Sequence, residues 1–478
     1  MLFNSYVFIF AFAPIAFTGT FALERFGRSI QFAWLIASAL IFYGWQEPWF
    51  VTILVLSVTM NLAIGTAIIA KQGRWLLVIG VALNLALLFT FKYLGFAEGI
   101  LRDLFGWPNV IAASALPLGI SFYTFTQIAF LVDAHRGEIK GYGPLRFVLF
   151  VTYFPHLIAG PIIHHKEIIP QFDEERALRF NSTDAALGLS IFAIGLVKKT
   201  LLADGLAPIA DVVFAAASDF ETPITFIDAW IGAISYAFQI YFDFSGYCDM
   251  AIGLSLIIGI RLPINFNSPY KATSIIEFWR RWHMTLSRFL RDYLYIPLGG
   301  NRRGSSRRYF NLMLTMLLGG LWHGAAWTFV AWGALHGLYL LINHAWRELV
   351  KIPADIGASF GYRQASRFVT FIAVVLAWVF FRSDNLSAAL RLLGTMAVPE
   401  ISSRGQPISG LLLAALVAWL APNSQEITAN WRPALGRYTA SRWIRWQPSR
   451  TFAFLSAIGL ALGIMGISNA SPFIYFNF

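Results

Sequence analysis

The sequence predicts an all-helical, polytopic membrane protein. Three observations predict it. Of 478 residues, 57% are hydrophobic and only 13% are charged, whereas soluble domains run nearer ~45–50% apolar and ~25% charged. Several apolar stretches approach the roughly 20 residues that a helix needs to cross a bilayer. The basic residues gather in connections between those stretches, which is how lysine and arginine orient membrane spans.

Taken in order, Ser5–Ala22 is apolar and the first basic residue, Arg25, follows it. A cleaved signal peptide carries its positive charge ahead of its apolar core, so this run reads as a retained first span. Further spans are predicted at Trp49–Ala70, Trp75–Phe91, Val110–Val132 and Ile224–Phe242. The stretch Ile224–Ile260 has the length of one long span or two short ones. Between these, Arg146–His165 contains YFPHLIAGPIIHH, apolar but broken by Pro155, Gly160 and Pro161. A re-entrant segment is predicted there, since membranes tolerate broken backbone only where protein shields it. Phe310–Phe329 and Val330–Trp346 form a tight hairpin, followed by spans over Phe368–Phe381, Pro407–Leu420 and Thr451–Ile467. The count is about 11 spans. No internal repeat or low-complexity linker divides the chain, so residues 1–478 are expected to form a single transmembrane domain.

The formal charge of +11 points to topology and membrane lipids, not to nucleic acid. Arg261–Tyr309 carries ten Lys/Arg and two acidic residues. Arg347–Arg367 has four basic and two acidic residues, and Pro422–Arg450 has five Arg and one Glu. With the spans above, all three loops fall on one side, which is then cytoplasmic, and the charge-balanced loop Arg382–Gln406 falls on the other. The single cysteine, Cys248, excludes an intrachain disulfide and a cysteine-based metal site. His156 and the pair His164-His165 lie near a loop without a recognisable metal-ligand pattern, and no metal is expected.

The most basic loop contains a helix. Ser274-Ile-Ile-Glu277 has capping-box spacing. From there Ile275, Trp279, Trp282, Leu286, Leu290 and Tyr293 share one stripe at ~100° per residue. Arg280, Arg281, Arg288 and Arg291 lie opposite. Such a helix lies in the membrane interface instead of crossing it, and His283 sits at the edge of its apolar stripe. Pro297 and Gly299-Gly300 end the element. The arginines admit two readings. They anchor the helix to anionic headgroups, or they attract a phosphate-rich cytosolic donor such as coenzyme A, which suits the paired donors of a guanidinium.

His323 lies about 13 residues past Phe310, roughly 20 Å along a helix axis, and so within a hydrocarbon layer about 30 Å thick. An ionisable group at that depth is costly and marks a functional site by default. Gly319, Gly320, Gly324, Ala325 and Ala326 surround it in sequence, and small residues permit close helix approach and leave room for a substrate. A buried imidazole is mostly neutral at pH 7, as a general base must be before it acts. A histidine bonded across helices is the rival reading, and it is the expected one for His336 and His344. Within QIYFDFSGYCDM, Gln239, Asp243 and Asp249 line a polar path or bond one helix to another. The chain has no H-E-x-x-H, phosphate-binding loop, dinucleotide fingerprint or G-x-S-x-G elbow.

Several stretches together resemble one family. They are LPLGISFYTFTQIAFLVD (Leu116–Asp133), YFPHLIAGPI (Tyr153–Ile162), YFDFSGYCDMAIG (Tyr241–Gly253) and NFNSPYKATSIIEFWRRWHMTLSRFLRDYLYIPLGGNRRG (Asn265–Gly304). LLGGLWHGAAWTFVAWGALHG (Leu317–Gly337), WVFFRSDN (Trp378–Asn385), PNSQEI (Pro422–Ile427) and the tail SPFIYFNF follow. The chain is similar to the membrane-bound O-acyltransferase (MBOAT) superfamily, in the branch typified by bacterial alginate O-acetyltransferase. The tail departs slightly, ending in Phe-Asn-Phe where the family pattern has Gln-Phe.

The resemblance implies a ring of about 11 tilted transmembrane helices, with interfacial and re-entrant helices, around a central polar-lined tunnel. It implies an O-acetyltransferase of the bacterial inner membrane that draws on cytosolic acetyl-CoA and holds no bound cofactor. The family's essential histidine falls on His323 and its second motif histidine on His283. Trp279, Arg280, Arg281, Trp282, Arg291, Trp322 and Asp243 are the expected substrate-binding residues. The expected acceptor is an exported polysaccharide, reached directly or through a periplasmic acetyltransferase partner. Two rivals remain: transfer of another acyl group, such as D-alanyl from a carrier protein, and a proton-coupled transporter. The paired broken helices of many transporters are not evident.

Overall fold

The computed structural model describes residues 1–71, 73–106, 115–139, 141–400, 402–403, 405–436, 438–469 and 473–477. Among them the regular structure is helical, apart from one isolated bridge between Pro263 and Leu435. The chain divides into two compact units. The first comprises Met1–Val197, Gly246–Ile264 and Ser424–Ser468, and the second Lys198–Ser245, Asn265–Asn423 and Asn469–Phe478.

Five helical runs among the described residues are long and apolar enough to cross a membrane: Phe8–Phe26, Trp49–Lys71, Arg74–Phe105, Ser182–Ser218 and Phe360–Arg382. Leu386–Ala397, Ser409–Leu420 and Arg450–Met465 are shorter apolar helices. The first, second and third runs match spans expected from the apolar pattern. Of the expected span Val110–Val132, residues 110–114 lie outside the described residues, and the helix there is Ile120–His135. Phe226–Ile257 is one continuous helix of 32 residues.

In the first unit, apolar helices carry a few polar residues that bond across helices. Asn61 and Asn84, both fully buried, exchange side-chain hydrogen bonds of 3.1 and 2.7 Å. Gln127 donates to the Ser57 hydroxyl at 3.0 Å. Glycines allow closer approach: a Cβ on Gly188 would meet the Gly253 carbonyl oxygen, and one on Gly195 the Gly246 carbonyl oxygen. The helices carrying them therefore touch backbone to backbone. The segment predicted to be re-entrant is broken where expected. Pro144–Thr152 gives way to the single turn Phe154–Leu157, and residues 158–164 are non-helical yet buried. His156 there bonds the Phe150 carbonyl through Nε2 at 2.9 Å, and His165 Nδ1 lies 3.4 Å from the Asp133 carboxylate.

Two expectations are corrected in the second unit. The basic segment is not one helix. It is Ile275–Trp279 and Met284–Leu290, separated at His283, whose φ of 41° and ψ of 53° are left-handed. The capping box is real, with Ser274 accepting from the Glu277 N–H, but the stripe drawn through Leu286 and Tyr293 does not continue one helix face. The hairpin is also shifted: its helices are Ser305–His323 and Trp327–Leu349. His323 is thus the last residue of its helix, where the sequence placed it inside one. Gly324, extended at φ −160° and ψ 149°, stops the helix there.

Replacing Asn84 with leucine leaves the buried Asn61 side-chain oxygen without the Asn84 donor, while the Asn61 NH2 keeps its bond to the Ser57 carbonyl. Thermal unfolding in detergent is expected to show a loss of about 1 kcal/mol for the single variant, and a smaller loss for the Asn61→Leu/Asn84→Leu double variant.

Candidate active site

The site lies wholly in the second unit and is built from the hairpin, the basic segment, the first part of helix Phe226–Ile257 and the chain's last described residues. Its frame is the hairpin crossing. A Cβ on Gly320 would meet the Phe329 carbonyl oxygen and the Gly333 Cα, and one on Gly333 the Met316 carbonyl oxygen. Any larger residue would part these helices, so the two glycines fix how the turn after His323 is placed.

His323 is 2% exposed and walled by rings. Centroids of Trp322, Trp332, Phe381 and Tyr475 stand 4.9, 5.1, 5.2 and 5.7 Å from its own. Trp332 in turn stands 4.7 Å from His336. The Trp279 indole N–H donates to His336 Nδ1 at 3.3 Å. His336 therefore bonds across elements, as its sequence setting suggested, and a run of rings connects the basic segment to His323.

His283 is fully buried, with its ring centroid 6.2 Å from that of His323 and 4.8 Å from Phe244. Its left-handed backbone is bracketed by two main-chain hydrogen bonds to a neighbouring strand-like segment. The Asn267 N–H donates to the Arg281 carbonyl and the Met284 N–H to the Asn265 carbonyl, both at 2.9 Å. The Asn265 side-chain oxygen lies 3.1 Å from His283 Nδ1 and accepts from the Thr285 N–H at 3.2 Å and the Thr285 hydroxyl at 2.9 Å. His283 belongs to the connection between spans, and burial holds its imidazole well below the ordinary histidine range, so the ring is neutral near pH 7.

A buried ionic group stands beside the pair. Lys199 is 2% exposed and contacts Asp204 at 2.6 Å and Asp243 at 2.8 Å. Asp243 also accepts from the Ile474 main-chain N–H at 2.9 Å. This bond secures the tail segment whose next residue, Tyr475, packs 4.2 Å from Phe244 and 5.7 Å from His323. Phe473 stacks on Tyr475 at 5.7 Å. A charge-assisted bond in a dry interior is stronger than a neutral one, and an unpaired charge there is costly.

The membrane-bound O-acyltransferase family model matches residues 38–381. The chain belongs to that family. This acyltransferase is 37% identical to the probable alginate O-acetylase AlgI of Pseudomonas aeruginosa, with all of both chains covered. It is 42% identical to the peptidoglycan O-acetyltransferase of Helicobacter pylori, over 83% of this chain and 80% of the relative. It is 29% identical to the teichoic acid D-alanyltransferase of Streptococcus thermophilus, over 55% and 68% respectively.

Of the residues singled out in the acyltransferase sequence, the fold gathers His283, His323 and Trp322 around one point and sets Asp243 behind them through the tail. Trp282, fully buried, packs on Phe266, Trp378 and Phe278 with centroids 5.0, 4.9 and 5.7 Å away. Trp279 is one ring removed from His323, through Trp332. Two of the three arginines pair with acidic neighbours. Arg281 binds Glu277 at 2.8 Å and the Asn267 carbonyl at 3.0 Å. Burial alone would raise the Glu277 carboxyl, but hydrogen bonds from Thr273 and Arg281 hold it below its ordinary value. Arg291 pairs with Asp292 at 2.7 Å. Arg280 is exposed and forms no ion pair among the described residues. Asp249 bonds across helices, accepting from Ser424 and Gln425 at 2.7 and 2.9 Å. Sequence reasoning missed Lys199, Asn265, Trp332 and Tyr475. Asn265, Trp332 and Tyr475 sit inside the quoted motifs, so those motifs held the signal. Lys199 had none beyond its apolar surroundings.

Asp243→Leu removes one of the two carboxylates that bind Lys199 and the acceptor for the Ile474 N–H. Limited proteolysis of the protein in lipid is expected to cleave near residue 474 at least ~5-fold faster in this variant, and near the wild-type rate in Asp243→Asn, which keeps an acceptor oxygen.

Proposed function

We propose that this protein is an O-acetyltransferase of a bacterial inner membrane. It takes an acetyl group from acetyl-CoA on the cytoplasmic side and delivers it to a hydroxyl of an exported polysaccharide, directly or through a periplasmic partner enzyme. The observation that carries this reading is the pair of imidazoles, both buried and 6.2 Å apart between ring centroids, in an acyltransferase with relatives of 37 and 42% identity named for acetyl transfer. The names of two of those relatives, alginate O-acetylase and peptidoglycan O-acetyltransferase, support a glycan acceptor. In this reading the spans form a ring of about 11 tilted helices around a tunnel that reaches the pair from both sides.

His323 acts as the general base. It takes the proton of the attacking hydroxyl as oxygen bonds the thioester carbon, the carbon–sulfur bond breaks, and the proton passes to the departing thiolate. His283 orients the thioester or accepts a hydrogen bond from the substrate. The ring wall of Trp322, Trp332, Phe381 and Tyr475 limits water at the reacting carbon, which suppresses hydrolysis. The exposed Arg280 and its neighbours Arg281 and Arg291 attract the donor's phosphates at the cytoplasmic face.

Purified protein in lipid nanodiscs is expected to transfer label from acetyl-CoA and not from a D-alanyl carrier protein. His323→Ala is expected to lower that transfer at least ~100-fold, with membrane insertion and chromatographic behaviour unchanged. Wild-type transfer in the variant would remove His323 from the mechanism, and label from the carrier alone would replace the acetyl donor.

A further inference from the structure

Three hydrogen bonds converge on the Asn265 side-chain oxygen. One comes from a main-chain N–H, that of Thr285. An N–H group can only donate, so the Asn265 atom facing it is the oxygen and not the NH2 nitrogen. The same oxygen lies 3.1 Å from His283 Nδ1. An oxygen of an amide can only accept, so Nδ1 carries a proton. In a neutral imidazole one nitrogen donates and the other accepts. The remaining nitrogen, Nε2, is therefore bare. It is buried and has no hydrogen-bond partner among the described residues, at a ring whose centroid is 6.2 Å from that of His323.

The backbone supplies an independent observation. His283 is one of four non-glycine residues with positive φ among those described, a conformation that costs roughly 1–2 kcal/mol for an L-residue. Strain of this kind persists where surrounding structure over-determines it, and it concentrates at functional sites. The determinants here are the two main-chain bonds of segment Asn265–Asn267 to Arg281 and Met284 together with the Asn265 side chain. The Ile275–Trp279 and Met284–Leu290 helices are thereby parted at one residue, and that residue's ring enters the site. A continuous helix would have needed none of these bonds.

We propose that Asn265 is a positioning residue of the acyltransferase. It holds the His283 ring as the Nδ1–H tautomer and so presents Nε2 as an acceptor for an O–H or N–H group of the bound substrate. This role rests on the histidine pair being the reactive site.

Two measurements on the full-length protein in lipid test it. The first is solid-state NMR of protein labelled with 15N-histidine, with the His283 signals assigned by their loss in His283→Gln. A protonated Nδ1 and a bare Nε2 are expected, and a protonated Nε2 overturns the proposal. This readout needs no activity, so it separates failure of the Asn265 role from failure of the acetyltransferase reading. The second is kinetic. Asn265→Leu is expected to lower turnover at least ~10-fold with the Michaelis constant for acetyl-CoA within about 2-fold of wild type, and Asn265→Asp, which keeps the acceptor oxygen, to restore turnover to within about 3-fold. Wild-type turnover in Asn265→Leu, or failure of Asn265→Asp to restore it, overturns the proposal. If Asn265→Leu does not fold, the wild-type spectrum and the Asn265→Asp rate decide between the outcomes.

Discussion

A polar ring buried among aromatic rings must be told which way to face, because nothing around it competes for its nitrogens. The arrangement described here depends on that constraint being met at His283. Two main-chain bonds and one asparagine oxygen hold a single residue in left-handed backbone between two short helices. Were that residue helical, its ring would rotate by a helical step and leave the neighbourhood of His323. On the other side, Gly320 and Gly333 let the hairpin helices meet without side chains between them, which fixes the turn that presents His323. The pair thus exists because two backbone features, one strained and one bare, bring a ring from each element to the same place.

The tail completes the enclosure by electrostatics. Asp243 is a carboxylate in a position that water does not reach, and Lys199 is its compensation. The remaining acceptor capacity of Asp243 goes to the Ile474 N–H, so a charge deep in the unit anchors the strand of chain that lays Tyr475 beside the histidines. Buried ion pairs are weak evidence for stability, because the desolvation of both partners offsets much of their attraction. Their better-attested use is to specify one arrangement over others, and here that arrangement sets the fourth side of the ring wall. In the proposed acetyl transfer, a wall of this kind keeps water from the thioester while leaving the imidazoles able to pass a proton.

Much of this was legible in the sequence and some was not, for reasons that follow from range. Apolar runs are local signals: Trp49–Ala70 located its helix to within a residue, Phe368–Phe381 marked only part of Phe360–Arg382, and the run Ser182–Ser218 was not predicted. The Trp-His-Gly motif and the basic segment are also local, and they singled out both histidines. The break at His283 was hidden because Trp-Arg-Arg-Trp-His reads as uninterrupted helix by periodicity. What breaks it are bonds to Asn265 and Asn267, in a segment whose own sequence gives no sign of that pairing. The basic segment singled out Arg281 and Arg291, but its charge pattern did not show that each pairs with an acidic neighbour, Glu277 and Asp292. The link from Asp243 to Ile474 joins residues 231 positions apart, beyond the reach of any pattern within one segment.

The central claim is that the buried imidazole pair is where an acyl group changes hands. A structure of the protein in lipid with a non-hydrolysable acetyl-CoA analogue tests it most directly. The account predicts the acetyl carbonyl between the His283 and His323 rings, with a ring nitrogen within about 4 Å of the position an attacking oxygen would take. An analogue bound with its acetyl group outside the wall of Trp322, Trp332, Phe381 and Tyr475 would contradict it.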